Sequence, residues 1–125
     1  RRRQLCHLLL DQSFLAGVGN YLRSEILFDA QLSPFMKLSE LSEIQISNLA
    51  HSAKKIPHRT FTQKGVTVPP ELFDSLKSDG LTRRQARHFA FTRDGEPCWK
   101  CGFEISHKRV SGRRLDFCIH CQEVA

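Results

Sequence analysis

The chain has 125 residues and a formal net charge of +6, from 19 Lys and Arg against 13 Asp and Glu. This length allows one compact domain or two small ones that share a surface, and the charge favours a polyanionic partner such as nucleic acid. No apolar run approaches the length of a membrane span and no signal peptide is visible, so the sequence predicts a protein without a membrane partner, in a reducing compartment.

The first part of the chain is predicted to be helical. Apolar residues recur at near-helical spacing over residues 1–16, and the sequence GVGN at 17–20 ends that helix. A second helix is predicted over residues 21–30. Its inward-facing side chains are expected to be Leu22, Ile26 and Leu27. Because the chain starts with Arg inside a predicted helix, we expect a longer protein that continues before residue 1.

A third helix is predicted over residues 39–56, with Pro57 ending it. Its buried stripe is expected to comprise Leu41, Ile44, Leu49, Ala53 and Ile56. Residues 58–68 are expected to form a loop.

Two shorter elements follow. A short helix is predicted after Pro69 and Pro70, broken by Gly80. Residues 89–91 are a candidate strand, and residues 93–96 a turn. The basic segment at 78–87 is either a solvated surface helix or a DNA contact; its cations are Arg83, Arg84 and Arg87.

The GVGN turn has two interpretations. It is a tight connection in which glycine ends one helix and Asn20 caps the next. Alternatively, Gly19 lets backbone approach a phosphate, and Asn20 with the free N–H groups of the next helix binds the anion. The local sequence favours the structural interpretation.

Four of the five cysteines form the pattern C-x2-C-x16-C-x2-C, which is typical of two knuckles that share one metal ion. The candidate ligands are Cys98, Cys101, Cys118 and Cys121. Zinc is favoured over iron or redox disulfides, and four thiolates leave no open position for catalysis. His107 and His120 are expected to be bystanders, and Cys6 a buried structural thiol.

The spacer between the knuckles predicts a β-hairpin with a basic tip. Its cations are Lys108, Arg109, Arg113 and Arg114, around Gly112. Guanidinium groups at such a tip can bind phosphates, although a solvated charged turn is the simpler alternative. Trp99 is expected to pack under the finger.

Two stretches together resemble one known family. Residues 8–34, LLLDQSFLAGVGNYLRSEILFDAQLSP, resemble the helix–two-turn–helix motif of the formamidopyrimidine-DNA glycosylase and endonuclease VIII family, nearer to the endonuclease VIII branch. Residues 92–122 resemble that family's C-terminal zinc finger. The resemblance covers almost the whole chain, and residues 58–88 match least.

The resemblance implies a DNA-repair protein that grips the backbone of damaged double-stranded DNA with two elements. Asn20 corresponds to the phosphate-binding asparagine of the motif, and Arg113 to the finger arginine. Arg114 stands where many relatives carry proline, so the local turn is expected to differ. The resemblance further implies a bacterial, cytoplasmic, monomeric enzyme that removes oxidised bases, expected to be pyrimidines, and nicks the strand by β,δ-elimination.

One departure concerns catalysis. The family's nucleophile is an N-terminal proline, whereas residue 1 is Arg and all five prolines are internal. We therefore expect this chain to bind DNA without cleaving it. The expected organisation is a mainly α helical domain over residues 1–92, followed by a zinc-bound hairpin finger over 93–125. The alternatives are a stand-alone zinc-dependent nucleic-acid-binding module and a protein-binding scaffold.

Overall fold

The structure is a computed structural model that describes residues 3–9, 20–110 and 112–125, and only the backbone of Asn20. The GVGN turn up to Gly19, most of the helix predicted over residues 1–16, and Ser111 lie outside the described residues.

The described chain is mainly helical and ends in one hairpin. Its elements are α1 (Leu5–Leu8), α2 (Asn20–Ala30), a 3-10 turn (Leu38–Glu40), α3 (Glu43–Thr62), α4 (Pro70–Ser78), α5 (Arg83–Ala86), β1 (Ser106–Val110) and β2 (Arg113–Phe117). The two strands are antiparallel neighbours. The predicted architecture of helices followed by a hairpin with clustered cysteines is therefore confirmed.

The start of the chain differs from the prediction. α1 begins at Leu5 and leaves out residues 3 and 4, because Gln4 is extended and forms an antiparallel bridge with Lys37. The amide of Leu5 then donates to the carbonyl of Met36 at 2.8 Å, which ties this segment to the chain that follows α2.

α2 is the central helix of the fold. Its predicted inward residues Leu22, Ile26 and Leu27 are all buried. Burial extends to polar residues as well, since Arg23 and Glu25 are at most 1% exposed. Both faces of α2 are therefore covered, by α3 on one side and by β2 on another.

α3 begins with a reciprocal cap. The Ser42 hydroxyl accepts a hydrogen bond from the Gln45 amide at 3.1 Å, and the Gln45 side chain accepts one from the Ser42 amide at 2.9 Å. The predicted stripe is buried or half-buried at Leu41, Leu49, Ala53 and Ile56. Ile44 was predicted wrongly, because it lies in the first turn on the solvent side and is 74% exposed.

The prediction that Pro57 ends this helix was also wrong. Pro57 lies inside α3, and residues 58–62, expected to be loop, are helical. A proline inside a helix costs about 3 kcal/mol because one backbone hydrogen bond is lost. Ile56 and Thr60 on either side are buried, and the Thr60 hydroxyl donates to the Ile56 carbonyl at 2.7 Å. This packing offsets the effect of the proline.

The segment after α3 has one confirmed helix and one wrong strand. α4 begins with Pro70 at its first position, and Gly80 adopts a left-handed φ of +98° after its end, both as predicted. Residues 89–91 are not a strand. Their three amides donate to the carboxylate of Glu25, each at 2.8 Å, so they are not available for a β-ladder. The turn at 93–96 is confirmed, with Gly95 at φ +84°.

Three apolar clusters hold these elements together. One lies between α2 and α3. The second joins Phe28 of α2 and Phe89 to Cys98 and Cys118, and the third joins Cys6 to Leu115 and Phe117 of β2. The finger and the helices therefore share two of the three clusters.

Within residues 3–9, 20–110 and 112–125, no helix has the length and hydropathy needed to cross a membrane.

Candidate metal centre and nucleic-acid interface

Four cysteine sulfurs meet at the end of the hairpin. The Sγ atoms of Cys98, Cys101, Cys118 and Cys121 lie within 4.8 Å of one another. Cys98 and Cys121 are 3.8 Å apart, and Cys101 and Cys118 are 3.5 Å apart. Thiolates at about 2.3 Å from a tetrahedral zinc ion have S···S edges of roughly 3.8 Å. The sulfur positions therefore fit one tetrahedral ion.

Backbone N–H groups point at these sulfurs. Lys100 donates to the sulfur of Cys98 at 3.4 Å, Phe103 to Cys101 at 3.4 Å, and Cys121 to Cys118 at 3.3 Å. Such donors stabilise negative sulfur and fix its direction.

The electrostatics of the four thiols are unequal. Burial acts to raise the pKa of Cys101, but the Phe103 amide and the neighbouring thiols lower that pKa to about 6. Burial, followed by hydrogen bonding to Cys101, raises the pKa of Cys121 above its ordinary value. The low pKa favours the thiolate form of Cys101, and protons on other thiols would leave as a cation binds.

The knuckles are attached to α2 by apolar contacts and to the segment just after α2 by polar ones. Cys98 and Cys118 are buried beside Phe28. The Gln122 side chain accepts a hydrogen bond from the Cys118 amide at 2.8 Å and donates one to the Leu32 carbonyl at 3.0 Å. The position of the cysteine cluster is therefore fixed relative to the helices.

The hairpin presents the cations predicted from the sequence. Val110 pairs with Arg113 and Arg109 with Arg114, so the strands are joined by a two-residue loop. Gly112 in that loop has a φ of +77°, a conformation that few other residues adopt, and its carbonyl accepts a hydrogen bond from Arg109 at 2.8 Å.

The predicted cations differ in exposure. Lys108, Arg109 and Arg113 are exposed, whereas Arg114 is half-buried. The Lys108 ammonium lies 5.0 Å from the centre of the Phe35 ring. The hairpin therefore offers three exposed positive charges.

Arg114 is engaged inside the protein. Its Nε donates to the Asp116 carboxylate at 3.0 and 3.2 Å, and its Nη2 donates to Asp94 at 2.5 Å. Burial acts to lower the pKa of Arg114, but the two aspartates raise that pKa above its ordinary value.

α2 reaches the hairpin through its first turns. The Arg23 guanidinium donates to the Arg114 carbonyl at 3.1 Å and to the Cys6 carbonyl at 2.8 Å. The Ser24 hydroxyl accepts a hydrogen bond from the Asp116 amide at 3.1 Å. The first turns of α2, which begins at Asn20, and strand β2 of the basic hairpin are thus direct neighbours.

The roles of Gly19 and Asn20 remain predictions. Gly19 and the side chain of Asn20 lie outside the described residues, so only the backbone of Asn20 at the start of α2 is placed. The four cysteines, by contrast, come together as the spacing predicted, and the predicted cations lie on the hairpin, with Arg114 turned to Asp94 and Asp116.

Glu25 is a site residue that the sequence analysis missed. Its buried carboxylate accepts three backbone N–H groups from residues 89–91 and the hydroxyl of Thr67, at 2.6 Å. Thr67 also contacts the His88 ring at 2.9 Å, and burial lowers the pKa of His88. Only the presence of an acid among the apolar residues of the predicted helix hinted at this role.

The other candidate residues from the sequence analysis pack against neighbouring side chains of the protein. Cys6 is fully buried, as predicted, and burial raises its pKa. Trp99 packs as predicted, with the Arg93 guanidinium 3.5 Å from its ring centre and its indole N–H donating to the His88 carbonyl. His120 lies beside Phe103, and His107 lies 3.5 Å from Asp94.

The basic segment at 78–87 contains the surface helix α5. Arg83 and Arg84 are exposed, and Arg83 donates to the Lys64 carbonyl.

The fold and the site define a class of protein: a helical module whose central helix carries a four-cysteine β-hairpin finger. Residues 1–69 match the family model described as the formamidopyrimidine-DNA glycosylase H2TH domain, where H2TH stands for helix–two-turn–helix. This match covers more than half of the 125 residues. The chain belongs to the formamidopyrimidine-DNA glycosylase and endonuclease VIII family.

Relatives match over almost the whole chain. Endonuclease 8 of Salmonella arizonae is 42% identical over 123 residues, and that of Pectobacterium atrosepticum is 39% identical over 122 residues. Each alignment covers 98% of this chain and 43% of the relative. The chain therefore spans less than half the length of these relatives.

Solved structures agree with the fold. The MutM (Fpg) protein from Thermus thermophilus has a TM-score of 0.79 at 35% identity, over 98% of this chain and 46% of that one. The Lactococcus lactis Fpg in complex with abasic-site DNA has a TM-score of 0.75 at 29% identity, over 96% of this chain and 42% of that one.

Proposed function

We propose that this chain is the DNA-binding part of a base-excision-repair DNA glycosylase and AP lyase. The observation that carries the proposal is the contact between the first turn of α2 and strand β2 of the hairpin, through Arg23 and the Arg114 carbonyl at 3.1 Å. A helix start and a basic hairpin whose strand lies against that helix can bind phosphates of one DNA strand together.

The proposed metal is one structural zinc ion. Cys98, Cys101, Cys118 and Cys121 would hold it, and their sulfur separations of 3.5 and 3.8 Å support a closed tetrahedral site. Bound zinc supplies structural cross-linking of the two knuckles. The residues of the chain then hold the hairpin against α2.

The proposed DNA contacts are the exposed hairpin cations together with the start of α2. Arg113 is the principal finger contact, Lys108 and Arg109 are the other proposed hairpin contacts, and Gly19 and Asn20 are the proposed contacts at the helix corner. Extruding a damaged nucleotide costs a few kcal/mol of stacking and pairing. Two anchors on separate elements gain contacts to a kinked duplex that offset this cost.

The substrate and chemistry of the whole protein follow from the family and are part of the proposal. Such an enzyme would excise oxidised bases, chiefly pyrimidines, and nick the strand by β,δ-elimination. The 125 residues would bind DNA without this chemistry, because each of the five prolines is internal and its nitrogen is an amide. Borohydride trapping with abasic-site DNA should give no covalent adduct, and an adduct would overturn this part.

The binding experiment compares a duplex carrying a tetrahydrofuran abasic-site analogue with the intact duplex, by fluorescence anisotropy of zinc-loaded protein. Preference for the abasic duplex supports the repair function, because a missing base lowers the stacking and pairing energy that is lost when the duplex is kinked. Equal affinity favours a stand-alone zinc-dependent nucleic-acid binder, which the net charge of +6 also supports. Absence of binding favours a protein-binding scaffold.

Arg113→Ala provides the residue-level test. Loss of one phosphate contact should weaken binding roughly tenfold and lower the slope of log affinity against log salt by about 0.9, with zinc content unchanged. Lys77→Ala is the matched control, since Lys77 is also exposed but lies on α4. Unchanged binding by the Arg113 variant would remove this residue from the proposed contacts.

A further inference from the structure

Arg113 and Arg114 are adjacent in β2, yet their surroundings are opposite. Arg113 is exposed, whereas the Arg114 side chain is 29% exposed and is paired with Asp94 and with the fully buried Asp116. We infer that Arg114 is a positioning residue, which holds Arg113 toward DNA through the Asp94–Arg114–Asp116 ion pairs and does not itself bind phosphate. This inference rests on the proposed function.

The ion pairs join three parts of the molecule. Asp94 belongs to the turn that leads into the first knuckle, and the Asp116 carboxylate accepts the Thr92 amide in the same turn. Asp116 also donates its own amide to Ser24 of α2 at 3.1 Å. The guanidinium of Arg114 therefore holds the turn and the hairpin together at the point where the hairpin meets α2.

Strand geometry passes this restraint to Arg113. Successive side chains of a strand point to opposite faces. Arg114 pairs with Arg109, and Arg113 pairs with Val110. Fixing Arg114 on the face of Asp94 consequently holds Arg113 on the other face, near the tip, where it is exposed.

A direct phosphate contact by Arg114 would require breaking these pairs. The guanidinium would leave a carboxylate that is 0% exposed, and an uncompensated buried charge is strongly unfavourable. Arg113 requires no such exchange. The two arginines are thus expected to contribute to DNA binding in different ways.

A double-mutant cycle separates the two roles. Affinity of the zinc-loaded chain for the abasic-site duplex is measured over a range of salt for wild type, Arg113→Ala, Arg114→Ala and the double variant. If Arg114 acts through Arg113, the double variant has the affinity and the salt slope of Arg113→Ala. Two independent phosphate contacts would instead lower the slope by about 1.8 in the double variant, which would overturn the inference.

For Asp94→Asn, the two possible roles of Asp94 predict opposite changes in DNA affinity. If Asp94 helps to hold Arg113 in place, its loss weakens DNA binding at least threefold. If Asp94 only keeps Arg114 from DNA, its loss releases a cation and strengthens binding, which would refute the positioning role. Glu104→Gln is the matched control for removing one negative charge from the finger, since Glu104 is exposed.

Folding and zinc content of each variant are checked by circular dichroism and by metal analysis. Should Arg114→Ala fail to fold, Arg114→Lys replaces it, because lysine keeps the charge but lacks the planar fork that holds two carboxylates. Wild-type affinity in that variant would overturn the inference, and a loss of threefold or more supports it. If wild-type protein has no affinity for either duplex, the proposed function fails and this inference fails with it.

Discussion

Replacing Glu25 by glutamine should lower the free energy of unfolding by more than an isosteric substitution normally does. The Glu25 side chain is 1% exposed, and its two oxygens accept four hydrogen bonds, three from backbone amides at 2.8 Å and one from Thr67 at 2.6 Å. One of these oxygens accepts the amides of Ala90 and Phe91. Glutamine keeps only one of the two oxygens. Its NH2 group therefore replaces either the oxygen that faces Ala90 and Phe91 or the other one.

The magnitude follows from the donors left without an acceptor. If the NH2 group replaces the oxygen that faces Ala90 and Phe91, two N–H groups lose their acceptor, and in the other orientation the Phe89 N–H and the Thr67 hydroxyl lose theirs, at about 1–3 kcal/mol each. We expect Glu25→Gln to lower the free energy of unfolding by about 3 kcal/mol. An entropy of unfolding near 2.1 cal/mol/K per residue then gives a melting temperature lower by roughly 11 °C.

The assay is urea unfolding at pH 7 with zinc present, followed by circular dichroism. Glu71→Gln serves as the control because Glu71 is exposed in the first turn of α4, and we expect it to lose less than about 1 kcal/mol. A loss below about 1 kcal/mol in Glu25→Gln would refute the reasoning that this carboxylate holds residues 89–91 in place.

Three further predictions concern the metal, pH and backbone strain. Chelation of zinc should lower the stability of the whole chain in one transition, because Cys98 and Cys118 belong to the same apolar cluster as Phe28 of α2; separate melting of finger and helices by calorimetry would contradict this. Burial lowers the pKa of His88, so near pH 6.5 this imidazole binds a proton in the unfolded chain but not in the folded chain. Stability should therefore be full above about pH 6.5 and fall as the pH drops toward 5.5, by at most about 1.4 kcal/mol per pH unit from this group; His88→Asn should flatten that decline in urea titrations. Thr92 is β-branched and exposed with a φ of +62°, so Thr92→Gly should raise the melting temperature by about 4 °C in thermal scans.

The sequence predicted best those features that depend on residues close together in the chain. Cysteine spacing predicted the cluster at 98–121, and the glycine between cations predicted the hairpin turn, because few alternatives satisfy those patterns. Helix stops were less certain: Pro57 ends a helix only when neighbouring packing does not compensate, and that packing is not visible in the sequence.

Long-range partners explain the remaining differences. The amides of residues 89–91 bond to a carboxylate more than sixty positions earlier, so their strand-like sequence does not give a strand. The sequence placed both Arg113 and Arg114 among the candidate DNA contacts, and the ion pairs of Arg114 with Asp94 and Asp116 became visible only in the structure.

The shared apolar cluster around Phe28 also bears on how this architecture can be rearranged. The knuckle cysteines of this finger pack on a helix from an earlier part of the chain. Transferred alone to another protein, the finger would expose the surface that Phe28 and Phe89 now cover. Chimaeras between relatives should therefore exchange α2 and the finger as one unit. Linker length would matter less to their success than keeping this pair of surfaces together.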